Sequence, residues 1–112
     1  MMYAQFAPLI GPKPTITTVR ASSSLSVFLE WEMPWQLKYQ TFISGYRVQY
    51  GTSTRVYALR TLDVSTTSTS ASATISSLVQ GTTYYFRVAL KASESQFGPY
   101  SGFVTATTSG GK

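Results

Sequence analysis

The sequence predicts an all-β sandwich of seven strands, and three observations carry that expectation. Ser and Thr fill more than a quarter of the 112 positions and aromatic residues another 14%, a mix that suits pleated, half-buried surfaces better than helices. Short runs such as LSVFLEW and YYFRVAL alternate in polarity with period two, the spacing at which side chains share one face of a strand. Gly, Pro, Ser and Asp clusters break these runs at the intervals of a two-layer β fold, and no stretch carries an amphipathic helical pattern.

Length and composition narrow the function classes. One domain of this size can enclose a single modest core. With 0 Cys and 0 His in the chain, disulfides, thiol chemistry and the usual catalytic bases are excluded. Asn is also missing, which removes every N-glycosylation acceptor. The net charge of +5 gives a mildly basic surface that serves solubility or meets anionic partners. Only Glu30, Glu32, Asp63 and Glu94 carry carboxylates. Glu30 and Glu32 share a solvent-facing side of a strand, a poor placement for acid–base work. Neither clustered metal ligands nor a Gly-rich phosphate loop is present. The expectation is a non-enzyme with no cofactor and no bound metal.

The elements follow in chain order. Residues 1–13 are apolar but interrupted by Gln5, Pro8, Gly11 and Pro12, too short and broken for a signal peptide or a membrane span, and read as a linker. TITTVRA is an edge strand entered through Pro14. LSVFLEW follows, placing Leu25, Val27, Leu29 and Trp31 inward against Ser26, Phe28 and Glu30. The next dozen or so residues, Glu32–Ser44, form a long loop. GYRVQYG turns Tyr46, Val48 and Tyr50 inward and Arg47 and Gln49 outward. RVYALRTL reads as another short strand, and the Ser/Thr-dense DVSTTSTSAS as a polar connection. ATISSL contributes Ile75 and Leu78 to the interior. In LVQGTTYYFRVAL, Tyr84, Phe86, Val88 and Leu90 face one way and Tyr85, Arg87 and Ala89 the other. Lys91–Gly102 is read as a loop, and FVTATT as the closing strand through Val104 and Ala106, with residues 109–112 as a tail.

Several of these marks occur together in a known family. Trp31 followed by Met33-Pro34, then GYRVQY, then Leu78-x-x-Gly81-Thr82-x-Tyr84-x-Phe86-Arg87-Val88, then Gly98-Pro99-Tyr100-Ser101 and VTATT, come in order over residues 14–108. Here the chain resembles a fibronectin type III domain. The resemblance implies a seven-stranded immunoglobulin-like β-sandwich with sheets A-B-E and G-F-C-C′. It also implies a tyrosine corner, in which buried Tyr84 bonds backbone beside the E–F turn through its hydroxyl. A Phe there would keep the area but leave a backbone group unpaired, at a cost of ~1–3 kcal/mol.

Two surfaces emerge as candidate partner sites. Strand parity collects the N-terminus and the B–C, C′–E and F–G connections at one pole, where Trp35, Tyr39, Phe42, Phe97 and Tyr100 are expected on loops. The outer face of strands C and F carries Arg47, Gln49, Tyr85 and Arg87, with Arg60 expected beside them, a setting for cation–π contacts. Tyr100-Ser101-Gly102-Phe103 is similar to the WSxWS stretch of cytokine receptors, which adjoins such a ladder, although both Trp positions and the final Ser differ. The integrin tripeptide Arg-Gly-Asp of one member of the family is absent from the F–G loop. The expectation is a protein-interaction or spacer module of a larger cell-surface, adhesion or receptor protein. Its partner would be another protein or a neighbouring domain, with a sulphated glycan as a further partner class, no nucleic acid and no membrane insertion. The alternatives are an accessory module of an enzyme or intracellular scaffold, or a glycan binder using the loop aromatics.

Overall fold

A computed structural model describes residues 13–34, 43–93 and 96–110. Eight strands are present among them: β1 Thr15–Ser23, β2 Ser26–Glu32, β3 Gly45–Gly51, β4 Arg60–Ser65, β5 Ser70–Ile75, β6 Thr83–Lys91, β7 Phe97–Tyr100 and β8 Val104–Thr107. Strands β1, β2 and β5 form one sheet. In the other, β4, β3 and β6 run side by side and both β7 and β8 pair with β6. Every pairing is antiparallel. This is the A-B-E and G-F-C-C′ arrangement, its last strand divided in two.

Period-two alternation builds the interior. Val27, Leu29 and Trp31 of β2 meet Tyr46 and Val48 of β3 and Tyr84, Phe86, Val88 and Leu90 of β6, all buried, with Ile75 and Leu78 closing the same cluster. Each large apolar side chain removed from water contributes roughly 1.5–3 kcal/mol. Trp31 and Tyr46 touch edge to face, ring centroids 5.5 Å apart, which joins the two sheets. The Tyr46 hydroxyl donates to the Ser68 carbonyl at 2.6 Å, and burial pushes its pKa up to about 12, so the phenol stays neutral. Gly45 is needed where β3 meets β4: a Cβ there would run into the Val64 carbonyl oxygen.

Four sequence expectations change. Leu25 belongs to the β1–β2 turn and is 51% exposed, because β2 starts only at Ser26 and the alternation ends one step earlier. RVYALRTL is a strand only from Arg60; Val56–Ala58 form a single 3₁₀ turn. Residues 63–65 continue β4, and residues 70–72 begin β5, so the polar connection shrinks to 66–69. Leu62 and Val64 alternate with Asp63, and Ala71 and Ala73 with Ser72, a pattern masked by small and polar residues. Finally, the expected loop 91–102 contains β7, whose Gly-Pro composition disguises a strand.

Chain direction fixes the two poles. At one, Met33 N–H donates to Thr69 O at 2.7 Å and Ser44 N–H to Lys91 O at 2.9 Å, with Thr15, where β1 begins, paired to Glu32. At the other, Leu78 N–H donates to Leu25 O at 2.9 Å and Gly81 N–H to Ser109 O at 2.8 Å. The strands therefore carry the chain from one pole to the other.

Candidate functional site: the outer face of the five-stranded sheet

The residues that alternate away from the interior on β3 and β6 form a continuous layer of cations and rings. Arg47 grips Asp63 across the β3–β4 pair, Nε to Oδ1 at 2.8 Å and Nη2 to Oδ2 at 3.0 Å, the two-pronged geometry that suits guanidinium and carboxylate. Its planar head lies over the Phe97 ring, 4.3 Å from the centroid. Lys91 Nζ reaches the second Asp63 oxygen at 3.3 Å. The hydrogen bonds from Arg47, more than any other influence, hold the Asp63 carboxyl below its ordinary pKa, with the Lys91 hydrogen bond adding to them.

One step along β6 the pattern repeats. Arg87 donates from Nε and Nη2 to Gln49 Oε1 at 2.9 and 2.7 Å. Its guanidinium sits 4.2 Å from the Tyr100 centroid and 4.9 Å from that of Phe103. Phe103 in turn meets Tyr85 edge to face at 6.3 Å. From one pole towards the other the layer reads Lys91 and Asp63, Phe97 with Arg47, Tyr100 with Arg87 and Gln49, then Phe103 and Tyr85. Each ring–cation contact is worth ~0.5–1 kcal/mol where solvent reaches it. Ala89, which faces this way, is fully buried between the neighbours it pairs with, Arg47 and Tyr100. Burial also raises the Tyr100 pKa.

The break between β7 and β8 makes this stacking possible. Ser101 N–H donates to Val88 O at 2.8 Å, while the Ser101 hydroxyl accepts from Val88 N–H at 3.1 Å. The side chain thus replaces a strand carbonyl at the irregularity. The chain shifts register there and brings both Tyr100 and Phe103 onto Arg87.

The sequence-expected residues are distributed as follows. Arg47, Tyr85 and Arg87 stand on the outer face. Phe97 and Tyr100 lie in β7 on that face as well, and not on a polar loop, so two expected surfaces are partly one. Arg60 pairs with Tyr50 and so belongs to the opposite face of the sheet from Arg47, because the two are separated by an odd number of strand steps. Trp35, Tyr39 and Phe42 lie outside the described residues. Asp63 and Phe103 were missed as members of the layer. The register that sets Asp63 opposite Arg47 would have found the first. No spacing rule finds the second, because Tyr100 and Phe103 are three residues apart and share a face only through the register shift between β7 and β8.

Among the described residues no cluster of His, Cys, Asp or Glu is arranged to hold a metal ion. Nor, among them, is any helix long and apolar enough to cross a membrane. The tyrosine corner is present: Tyr84 is buried and its hydroxyl oxygen accepts from Val79 N–H at 2.9 Å. Gly81, three residues before it, takes a left-handed backbone with φ of 62°, a conformation cheap only for glycine.

The family profile described as "Fibronectin type III domain" matches residues 12–107, and the chain belongs to that family. Similar solved structures include the FN1–FN3 fragment of chicken CNTN1, with a TM-score of 0.71 at 21% identity, covering 88% of this chain and 32% of that one. The chain thus spans about a third of that fragment. The FN5 domain of Drosophila Lar matches with a TM-score of 0.68 at 19% identity, covering 91% of this chain and 100% of that one. A structure described as a myokine matches with a TM-score of 0.67 at 22% identity, covering 88% of this chain and 98% of that one. No curated protein matches the sequence significantly. At these identities the structural likeness establishes the fold alone.

Proposed function

We propose that the chain is a non-catalytic recognition and spacer module, residues 14–108, of a larger cell-surface adhesion or receptor protein. It docks a protein partner on the outer face of the five-stranded sheet. Residues 1–13 and 109–112 are the flanking linker and tail. The observation that carries this reading is the Arg47–Phe97 and Arg87–Tyr100–Phe103 stacking, which presents half-buried rings and cations as one preorganised surface. Tyr and Arg held rigid before binding lose little entropy when a partner closes over them. The same geometry favours protein over sulphated glycan. Asp63 and Gln49 already occupy the donors that face them on Arg47 and Arg87, so the face offers ring edges and stacked planes more than a bare positive field. Membership of the fibronectin type III family, whose domains are common in extracellular and cell-surface proteins, supports the cell-surface setting.

A photo-crosslinking amino acid placed at Tyr85 tests the reading, with Thr74 on the exposed side of the other sheet as control. On intact cells, position 85 should capture a surface protein that position 74 does not, and heparin should fail to compete. Equal capture at both positions, or capture abolished by heparin, would refute the docking face.

A further inference from the structure

We infer that the pole formed by the β1–β2, β3–β4 and β5–β6 connections is a second docking site, separate from the outer face. Its occupant is an acidic protein segment anchored by an apolar side chain.

Among the described residues, the exposed large hydrophobic side chains are Leu25, Val56, Tyr57 and Val79, with Tyr57 83% exposed. All four lie in connections at this pole. Scattered apolar residues need no explanation, but a set confined to converging loops does. The backbone brings those loops together. Leu78 N–H bonds to Leu25 O, which holds the β1–β2 turn against the β5–β6 connection. Ala58, beside Tyr57, lines the same cleft as Val79.

That cleft, of about 270 Å³, runs between the β3–β4 and β5–β6 connections. Tyr50, Leu78 and Tyr84 contribute to its walls, and Arg60 and Val79 lie along it. It is smaller than the usual site for a whole small molecule and of a size for one inserted side chain. A concave seat between loops, lined by both polar and apolar groups, suits one inserted protein side chain better than a bilayer, which meets protruding loop tips.

Charge selects the character of the occupant. Arg60 lines the cleft, and in the β3–β4 connection that precedes it Arg55 bonds the exposed Tyr57 hydroxyl through Nη1 at 3.2 Å. The described carboxylates, Glu30, Glu32 and Asp63, lie in the halves of β2 and β4 that run to the other pole. Among the described residues the pole thus carries exposed apolar and cationic side chains and no carboxylate side chain, complementary to a segment that sets carboxylates beside an aromatic or aliphatic anchor.

The experiment is an amide-shift titration of the isotope-labelled chain. The probe is a short synthetic peptide with a phenylalanine and a leucine set among glutamates, and a second peptide carries lysine at each glutamate. The acidic peptide should move amides of residues 51–60 and 77–81 and leave 97–104 unmoved, while the lysine peptide moves neither. The Arg55→Glu, Arg60→Glu double variant and, separately, Val79→Ser should each weaken the response at least about fivefold with amide dispersion retained. Equal shifts with both peptides, shifts confined to β6 and β7, or no shifts at all would overturn the proposal. So would binding to phosphatidylserine vesicles without a peptide response, which would assign the pole to lipid.

Discussion

The two faces of β6 are made from alternate residues of one nine-residue strand, yet they hold their side chains by different means. Inward, Tyr84, Phe86, Val88 and Leu90 are buried, and area removed from water does the stabilising. The one polar atom needing a partner there, the Tyr84 hydroxyl, bonds a single backbone N–H. Outward, Tyr85, Arg87, Ala89 and Lys91 are organised by rings, guanidinium planes and two polar acceptors, Gln49 and Asp63. Each outer contact is individually weak and open to salt screening. The inner face fixes the fold; the outer face can change its chemistry without unfolding the chain.

Substitutions can break that contrast, the largest effect coming from the inside. Phe86→Ala should cost about 3–5 kcal/mol in urea denaturation, the transfer and cavity terms together. A loss below about 1 kcal/mol would mean that Phe86 is not enclosed. Arg87→Ala should cost only about 1–2 kcal/mol, the two ring contacts at ~0.5–1 kcal/mol each, because the Gln49 amide can turn to water once the guanidinium is gone. It should also alter the near-ultraviolet dichroism as Tyr100 and Phe103 lose their shared plane. Arg87→Lys keeps the charge without the plane and should restore little of either signal; full restoration would show that charge alone matters.

The smallest effect is expected at Asp63. Its carboxyl is held below the ordinary value of 3.8 by Arg47 first and Lys91 second. A depressed folded-state pKa contributes stability above the unfolded value, and that contribution disappears as pH falls through the folded one. Asp63→Asn should therefore cost less than about 1 kcal/mol at neutral pH, since the group is solvent-screened. The difference from the parent chain should close as pH is lowered from about 4. A difference that persisted or grew in acid would show that the Arg47–Asp63 fork does not act through the carboxylate charge.

Much of the inner face was legible in the sequence because Val, Leu, Phe and Trp at period two leave little choice of register. Tyr84 could be assigned inward from its neighbours Phe86 and Val88, and its hydroxyl role came from the family resemblance. The outer layer was half legible. Parity placed Arg47, Tyr85 and Arg87 together, but pairing them with Phe97 and Tyr100 required knowing that FGPY is a strand, and Gly-Pro argues against one locally. Two bonds to Val88, one from the Ser101 backbone and one to its hydroxyl, compensate, an arrangement invisible in any single-strand pattern. β4 was misplaced for a related reason: its alternation rests on Leu62 and Val64 alone, while the more apolar Val56, Tyr57 and Ala58 before it attract the assignment. Those residues stay exposed because the chain must turn there between β3 and β4.

The most direct test sets the adjacent tyrosines against each other by equilibrium denaturation of Tyr84→Phe and Tyr85→Phe. Loss of the hydroxyl at 84 should orphan Val79 N–H and cost ~1–3 kcal/mol, whereas the same change at 85 should stay within about 0.5 kcal/mol. Equal losses, or the larger loss at 85, would contradict the division of β6 into a sealed face and an open one.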